Sequence, residues 1–327
     1  MVTGPKVQGP DAEPFMDFLD RSRPEVDLRI DERIAQVSGG DRGMEAHFHG
    51  GKRLRAGTVL LVYESLSDGR KGRDMAMDLA AAVEIAHGTS LMIDDMLDGD
   101  RVRRGTATFH ALRGPTRTML EAVRLLAVPY ILVAPHGSMA VGSLARTHEE
   151  MVRGSLIELD PAGPRAGVAA YDRLISLKSG GLFELAAKFG ALAAGCCEEK
   201  SGLVGAYGSG LGTVHQFSDD IADLQGALQA GREVTGSESL LFRCTVRDAQ
   251  ERKGAADRCV LPEDVESRLI KELQLRVRRA ERAAVKLSVT IGRCGGRRSM
   301  SSFLPILRSA PYEIARLMIP LAAPRGP

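Results

Sequence analysis

One feature constrains the fold of this chain more than any other: apolar, helix-patterned sequence that carries its own acid groups. From 71 to 98, Leu79, Val83, Ala86, Ser90 and Ile93 recur at helical spacing and predict one long helix. Its end reads SLMIDDMLD, which places Asp94, Asp95 and Asp98 about one turn apart, with His87, Asp94 and Asp98 on a single stripe. Carboxylates inside an apolar helix are costly to bury unless a cation neutralises them, and adjacent ones repel. The same spacing returns in QFSDDIADL as Asp219, Asp220 and Asp223, on a helix expected over 213–228. Either cluster alone could be a solvated helix end. The apolar SLMI before the first, and the second copy, point instead to two helices facing each other across divalent cations.

Composition agrees with packed helices. Hydrophobic residues make up 44% of the 327-residue chain, but aromatics only 4%, with no Trp. The β-branched and aromatic runs that mark strands are scarce, so the expectation is an all-α, single-domain antiparallel helix bundle over 14–327, behind a flexible arm at 1–13. The net charge of +2, with no dominant basic segment, argues against a nucleic-acid partner. Five cysteines without a CxxC pair, and a polar N-terminus unlike a secretory leader, suggest reduced thiols and a cytoplasmic location. The most apolar run, 125–134, is short for a bilayer and contains Pro129, so no transmembrane segment is expected.

Cations flank the first acidic cluster. Upstream, a Gly-rich loop at 38–51 leads into Lys52-Arg53-Leu54-Arg55, where a helix would aim Lys52 and Arg55 the same way, although such a pair also suits a solvated helix start. Downstream, Gly99 and Gly105 bracket a loop or frayed helix end bearing Arg101, Arg103 and Arg104. Guanidinium forks match phosphate oxygens, whereas carboxylates repel them. Mg²⁺ reconciles the two, because it takes carboxylate, water and phosphate oxygens together. Lys178, on an apolar helix or helix pair at 170–195, either meets an anion or snorkels to the surface.

GGKRLR, EIAH with SLMIDDMLD, RRGTATFH, Lys178 and QFSDDIADL, in this order from about residue 50 to about 225, resemble the trans-polyprenyl diphosphate synthase family. The resemblance implies a bundle of the isoprenoid synthase type with a central active-site cavity, Mg²⁺ as cofactor, and a homodimer. It implies a trans-prenyltransferase that condenses isopentenyl diphosphate with an allylic diphosphate. It further implies that Lys52, Arg55, His87 and Arg104 hold the isopentenyl diphosphate. Asp94, Asp98 and Asp219 match direct metal ligands, and Asp95, Asp220 and Asp223 match their supports. Arg103, Lys178 and Arg232 match cations on the allylic diphosphate, and Gln216 a polar group facing the reacting carbons.

Product length is expected to follow the side chains before Asp94. Thr89, Ser90 and Ala86 are all small, which predicts a product longer than farnesyl diphosphate, with geranylgeranyl first. Three departures stand against the family pattern. Residues 116–135 read TRTMLEAVRLLAVPYILVAP, where Pro129 should kink or break a helix and Pro135 end it. Ser155 follows Gly154 where Gln is usual, and SESLLFRC replaces a Lys-Thr-Pro-like element. They leave two alternatives: a class I terpene cyclase, which has no need of Lys52, Arg55 and Arg104, and a non-catalytic partner subunit, which has no need of the acids. Elsewhere, one or two helices interrupted at Pro24 are expected over 14–37, and an Arg-rich amphipathic helix over Val265 to Thr290.

Overall fold

A computed structural model describes residues 14–67, 71–159, 168–196, 200–231, 234, 236–242, 263–292 and 297–319. In chain order the elements are α1 (Pro14–Ser38), α2 (Arg42–Phe48), α3 (Leu54–Leu66), α4 (Arg73–Asp98), β1 (Val102–Arg103), β2 (Thr106–Ala107), α5 (Phe109–Arg113), α6 (Pro115–Leu125), α7 (Ala127–Val133), α8 (Ser138–Leu159), α9 (Val168–Ile175), α10 (Gly181–Ala193), α11 (Ser201–Gln229), α12 (Gly236–Phe242), α13 (Glu263–Gly292) and α14 (Arg297–Met318). The fold is all-α apart from one small hairpin. The expected arm at 1–13 lies outside the described residues, as does most of a loop expected at 160–169, whose last two positions, 168 and 169, instead begin α9.

The centre is built from α3 and α10, both rich in apolar and small residues. Every residue of α3 from Leu54 to Tyr63 is buried, and α10 packs on α3, α4 and α11. The glycines make that closeness possible. A Cβ on Gly190 would lie 2.3 Å from the Val59 carbonyl oxygen, and one on Gly208 would lie 2.3 Å from that of Phe183. The Gly-rich segment 202–212, which precedes the helix expected over 213–228, is therefore part of it, since α11 starts at Ser201. Glycine inside a helix costs about 1 kcal/mol relative to alanine. Here the contact of two backbones offsets that cost.

Three other expectations change. α1 runs unbroken through Pro24: the site is exposed, water can serve the Asp20 carbonyl that loses its partner, and Phe15, Phe18, Leu19, Val26, Ile30 and Ile34 bury the rest. The loop at 38–51 contains α2, because Asp41 accepts the Gly43 N–H at 2.9 Å and caps it. Residues 102–107 form a hairpin with Val102 paired to Ala107. Arg104 (φ 50°) and Gly105 (φ 77°) supply the two positive φ angles its turn needs.

α14, past the last expected element, is tied down by polar groups. Pro311 has no N–H for the Leu307 carbonyl, and the Tyr207 hydroxyl donates to that oxygen instead, at 2.9 Å. Buried Glu313 accepts the Phe15 and Met16 N–H groups at 3.0 and 2.7 Å, so the last helix caps the first.

The helix over 116–135 breaks where its prolines require. The Pro129 ring crowds the Leu125 carbonyl, and α6 stops at Leu125. As a folded stretch, Pro115–His136 is nevertheless long and apolar enough, by length and composition alone, to cross a membrane. The shorter run read from the sequence understated it. Ala122, Leu125, Leu132 and Val133 are buried, while Met119, Leu120, Val123 and Ile131 are exposed.

Candidate active site

Each acidic cluster divides its labour according to which face of the helix a residue occupies. Neighbours on a helix point about 100° apart, so one member of each Asp-Asp pair turns inward. On α4 that member is Asp95, which is 1% exposed and receives the Arg103 Nε–H, tying the hairpin to the helix. Its Oδ2 is buried without a partner. Asp94 is half-buried and Asp98 exposed. Burial, the neighbouring Asp98 and Glu158 push the Asp94 carboxyl up to about 6 against the opposing pull of Lys178. Burial also raises Asp98.

On α11 the inward residue is Asp220. It accepts the Tyr171 hydroxyl at 2.6 Å, the Ser237 hydroxyl at 2.6 Å and the Gln216 side-chain N–H at 2.8 Å. Three donors make Asp220 a clamp joining α9, α11 and α12, yet burial still raises it to about 6. Gln216 is committed to the same clamp, accepting from the Ser179 hydroxyl as well. Asp219 is half-buried, and burial with the nearby Asp223 and Asp220 pushes it to about 7. Asp223 is exposed.

Lys178 stands between the clusters. It sits in a π-helical turn, Ser176–Gly180, of the kind that often re-aims one side chain. Gly154 of α8 lets the turn approach, since a Cβ there would meet the Lys178 backbone nitrogen at 3.1 Å. Nζ donates to Glu158 at 2.6 Å. Burial works against the ammonium, but Asp94, Glu158 and Asp98 outweigh it and raise its pKa. Lys178 also acts on Asp220, so acids from both α4 and α11 lie within its field.

The cations expected on the second diphosphate are arranged differently from the sequence picture. Lys52 precedes α3, which starts at Leu54, so the two cations do not share a helical face; Lys52 is exposed and Arg55 buried. Glu84 of α4 reaches the start of α3 and accepts the Arg55 and Ala56 N–H groups at 3.1 and 2.9 Å. The Arg55 guanidinium lies over the Phe183 ring of α10, 4.7 Å from its centroid. Burial lowers Arg55 to about 10, while Glu84 and Asp219 support its charge. His87 is kept well below its usual range by burial, then by Arg55, His215 and Arg104. Arg104 is exposed at the hairpin turn. Arg232 lies outside the described residues.

The structure thus brings together Lys178 with Asp94, Asp98 and Asp220, and Arg55 with His87, Arg104, Lys52 and Asp219. Several partners carried no sequence signal, among them Tyr171 and Ser237, and Glu84 stood in EIAH with no role assigned to it. Arg53 also escaped notice: it is buried at φ 55° and binds Asp27 and the Phe48 carbonyl, both at 2.6 Å, fixing the turn before α3.

The polyprenyl synthetase family model matches residues 42–248, which contain both acidic clusters and the cations between them. The chain belongs to this family. Among curated relatives, geranylfarnesyl diphosphate synthase of Aeropyrum pernix is 32% identical over 62% of this chain and 69% of its own length. That of Methanosarcina mazei is 31% identical over 58% of this chain and 64% of its own. The aligned part therefore spans about two thirds of these relatives. Two solved structures share the fold. Geranylgeranyl pyrophosphate synthetase from Pyrococcus horikoshii has a TM-score of 0.68 at 21% identity, covering 91% of this chain and 98% of that one. Polyprenyl synthase from Caulobacter crescentus has a TM-score of 0.66 at 24% identity, covering 94% and 99%.

Proposed function

We propose that the protein is a trans-prenyltransferase that joins isopentenyl diphosphate to an allylic diphosphate and releases a polyprenyl diphosphate of geranylgeranyl length or longer. The observation that carries this reading is Lys178, a cation in a π-turn within the field of acids on both α4 and α11. A terpene cyclase has no use for the second cation group around buried Arg55, and a passive subunit has no use for raised acids.

Mg²⁺ suits the donor set. Asp94, Asp98, Asp219 and Asp223 offer only hard oxygen, and burial, followed by neighbouring acids, raises Asp94 and Asp219, a cost that a bound cation would offset. Among the described residues no three acid, His or Cys side chains already form a metal cage, so substrate oxygens would complete the coordination. Bound Mg²⁺ would stabilise charge on the departing diphosphate.

The chain's own groups do the rest. Lys178 and Arg103 hold the allylic diphosphate while its C–O bond breaks. Lys52, Arg55, His87 and Arg104 hold isopentenyl diphosphate so that its double bond meets the allylic carbon. The apolar bundle excludes water from the cation. The proton lost afterwards goes to the released diphosphate. Before Asp94, Ala86 and Thr89 are buried against the protein, with the Thr89 hydroxyl bonded to the Ile85 carbonyl at 2.8 Å, and half-buried Ser90 is the small side chain left to line the path of the growing chain.

Incubation with isopentenyl diphosphate, each allylic primer and Mg²⁺, followed by mass spectrometry, tests this. Products of twenty carbons or more are expected, and chelation should stop them. A farnesyl-only product would refute the open path; inactivity with every primer would refute the synthase reading.

The protein also pairs with a second copy through the exposed apolar side chains of α6 to α8, namely Met119, Leu120, Val123, Ile131, Val152 and Leu156. Sedimentation should give twice the chain mass, and Leu120→Glu with Val123→Glu should halve it. A wild-type monomer at micromolar concentration would rule this face out.

A further inference from the structure

His215 has no place in the site as read from the sequence, and it is the most conspicuous unused polar group near it. It precedes Gln216 on α11 and lies one turn before Asp219. Its Nδ1 is buried and has no hydrogen-bond partner. Its ring rests against Phe183, 5.6 Å between centroids. The guanidinium of Arg55 lies over the same Phe183 ring at 4.7 Å, and Arg55 Nε is likewise buried and unpartnered. Two buried nitrogens on α3 and α11, helices that both pack on α10, therefore share the Phe183 ring of α10 as one aromatic platform and lack the acceptor each needs. A buried polar atom without a partner is rare and costly, so two together indicate a group that arrives from outside.

The charges around His215 show what that group is. Arg55 and Lys52 both act on the His215 ring, and His87 lies in the field of Arg55 and of His215 itself. The occupant is therefore an anion with several oxygens. We propose that His215 is a further binding residue of the isopentenyl diphosphate site, donating from Nδ1 to a phosphate oxygen beside Arg55. This rests on the synthase reading above. No bond is made or broken in this step. The imidazole stays neutral, with the proton on Nδ1, and its contribution is a directed hydrogen bond.

The test compares His215→Phe, which keeps a flat ring against Phe183 without the donor, with His215→Asn, whose amide stands where Nδ1 stands. Binding of isopentenyl diphosphate to the full chain is measured by calorimetry without an allylic primer, and the KM for each substrate is measured separately. The expected result is an approximately ten-fold or greater weakening of isopentenyl diphosphate binding in His215→Phe, near-wild-type binding in His215→Asn, and an allylic KM within two-fold of wild type in both. Unchanged binding in His215→Phe would overturn the proposal. So would equal weakening toward both substrates in both variants, which marks a structural role. If wild type itself binds no isopentenyl diphosphate, it is the synthase reading that falls.

Discussion

Asp219→Asn lowers turnover by on the order of 10³-fold and, at pH 8 without metal, raises the melting temperature of the protein. Both effects come from one cause. In the proposed function the carboxylate meets Mg²⁺ and a diphosphate, and electrostatic groups of this kind are worth a few kcal/mol in the transition state. Without them it is a half-buried charge beside Asp223 and Asp220, and burial followed by these neighbours raises it from 3.8 to about 7. In that window the folded protein holds a proton that the unfolded chain has released, so folding stability falls as pH rises from about 4 through 7. Asparagine carries no such charge. The difference in melting temperature between variant and wild type should therefore be largest above pH 7 and vanish toward pH 4. Adding Mg²⁺ should raise the wild-type melting temperature more than that of the variant. Thermal melts across pH, with and without metal, check this beside the activity assay. Turnover within ten-fold of wild type, or a difference that does not vary with pH, would contradict it.

Arg55→Met should show the same opposition between function and stability. The guanidinium is 6% exposed, and burial lowers its pKa to about 10. Among the described residues it forms no ion pair, and Glu84 Oε1 is occupied by backbone N–H groups that the substitution leaves in place. Methionine removes the buried charge and its unpartnered Nε while keeping an unbranched chain against Phe183. The ligand-free protein should gain about 1 kcal/mol, because burial opposes the guanidinium charge more than Glu84 and Asp219 support it. The kcat/KM for isopentenyl diphosphate should fall about 10²-fold or more, with the allylic KM little changed. Urea melts and steady-state kinetics read the two effects independently. A large loss of stability would mean that the guanidinium is structural.

Much of this architecture was legible because it is local. The apolar period of 71–98 foretold α4, and Pro129 foretold the break after Leu125. The limits appeared wherever a residue's meaning depended on distant chain. Gly208 and Gly212 lie before the helix expected over 213–228, yet they belong to α11, where their role is to let it touch α10. Lys52 and Arg55 looked like a pair, yet the turn fixed by Arg53 leaves only Arg55 on α3.

By itself, the sequence determined which segments are helical and which of them carry acid, since backbone preference and apolar period act over a few residues. Only the tertiary structure decided which acids are bound and which are open. Asp220 is closed by Tyr171 and Ser237, and Asp95 by Arg103, whereas Asp94 and Asp219 remain half-buried without such clamps. Two identical residues side by side on one helix face different neighbours, and those neighbours come from other turns of the chain. Their dielectric surroundings and hydrogen-bond partners, which set the state of each carboxylate, exist only once the helices have packed.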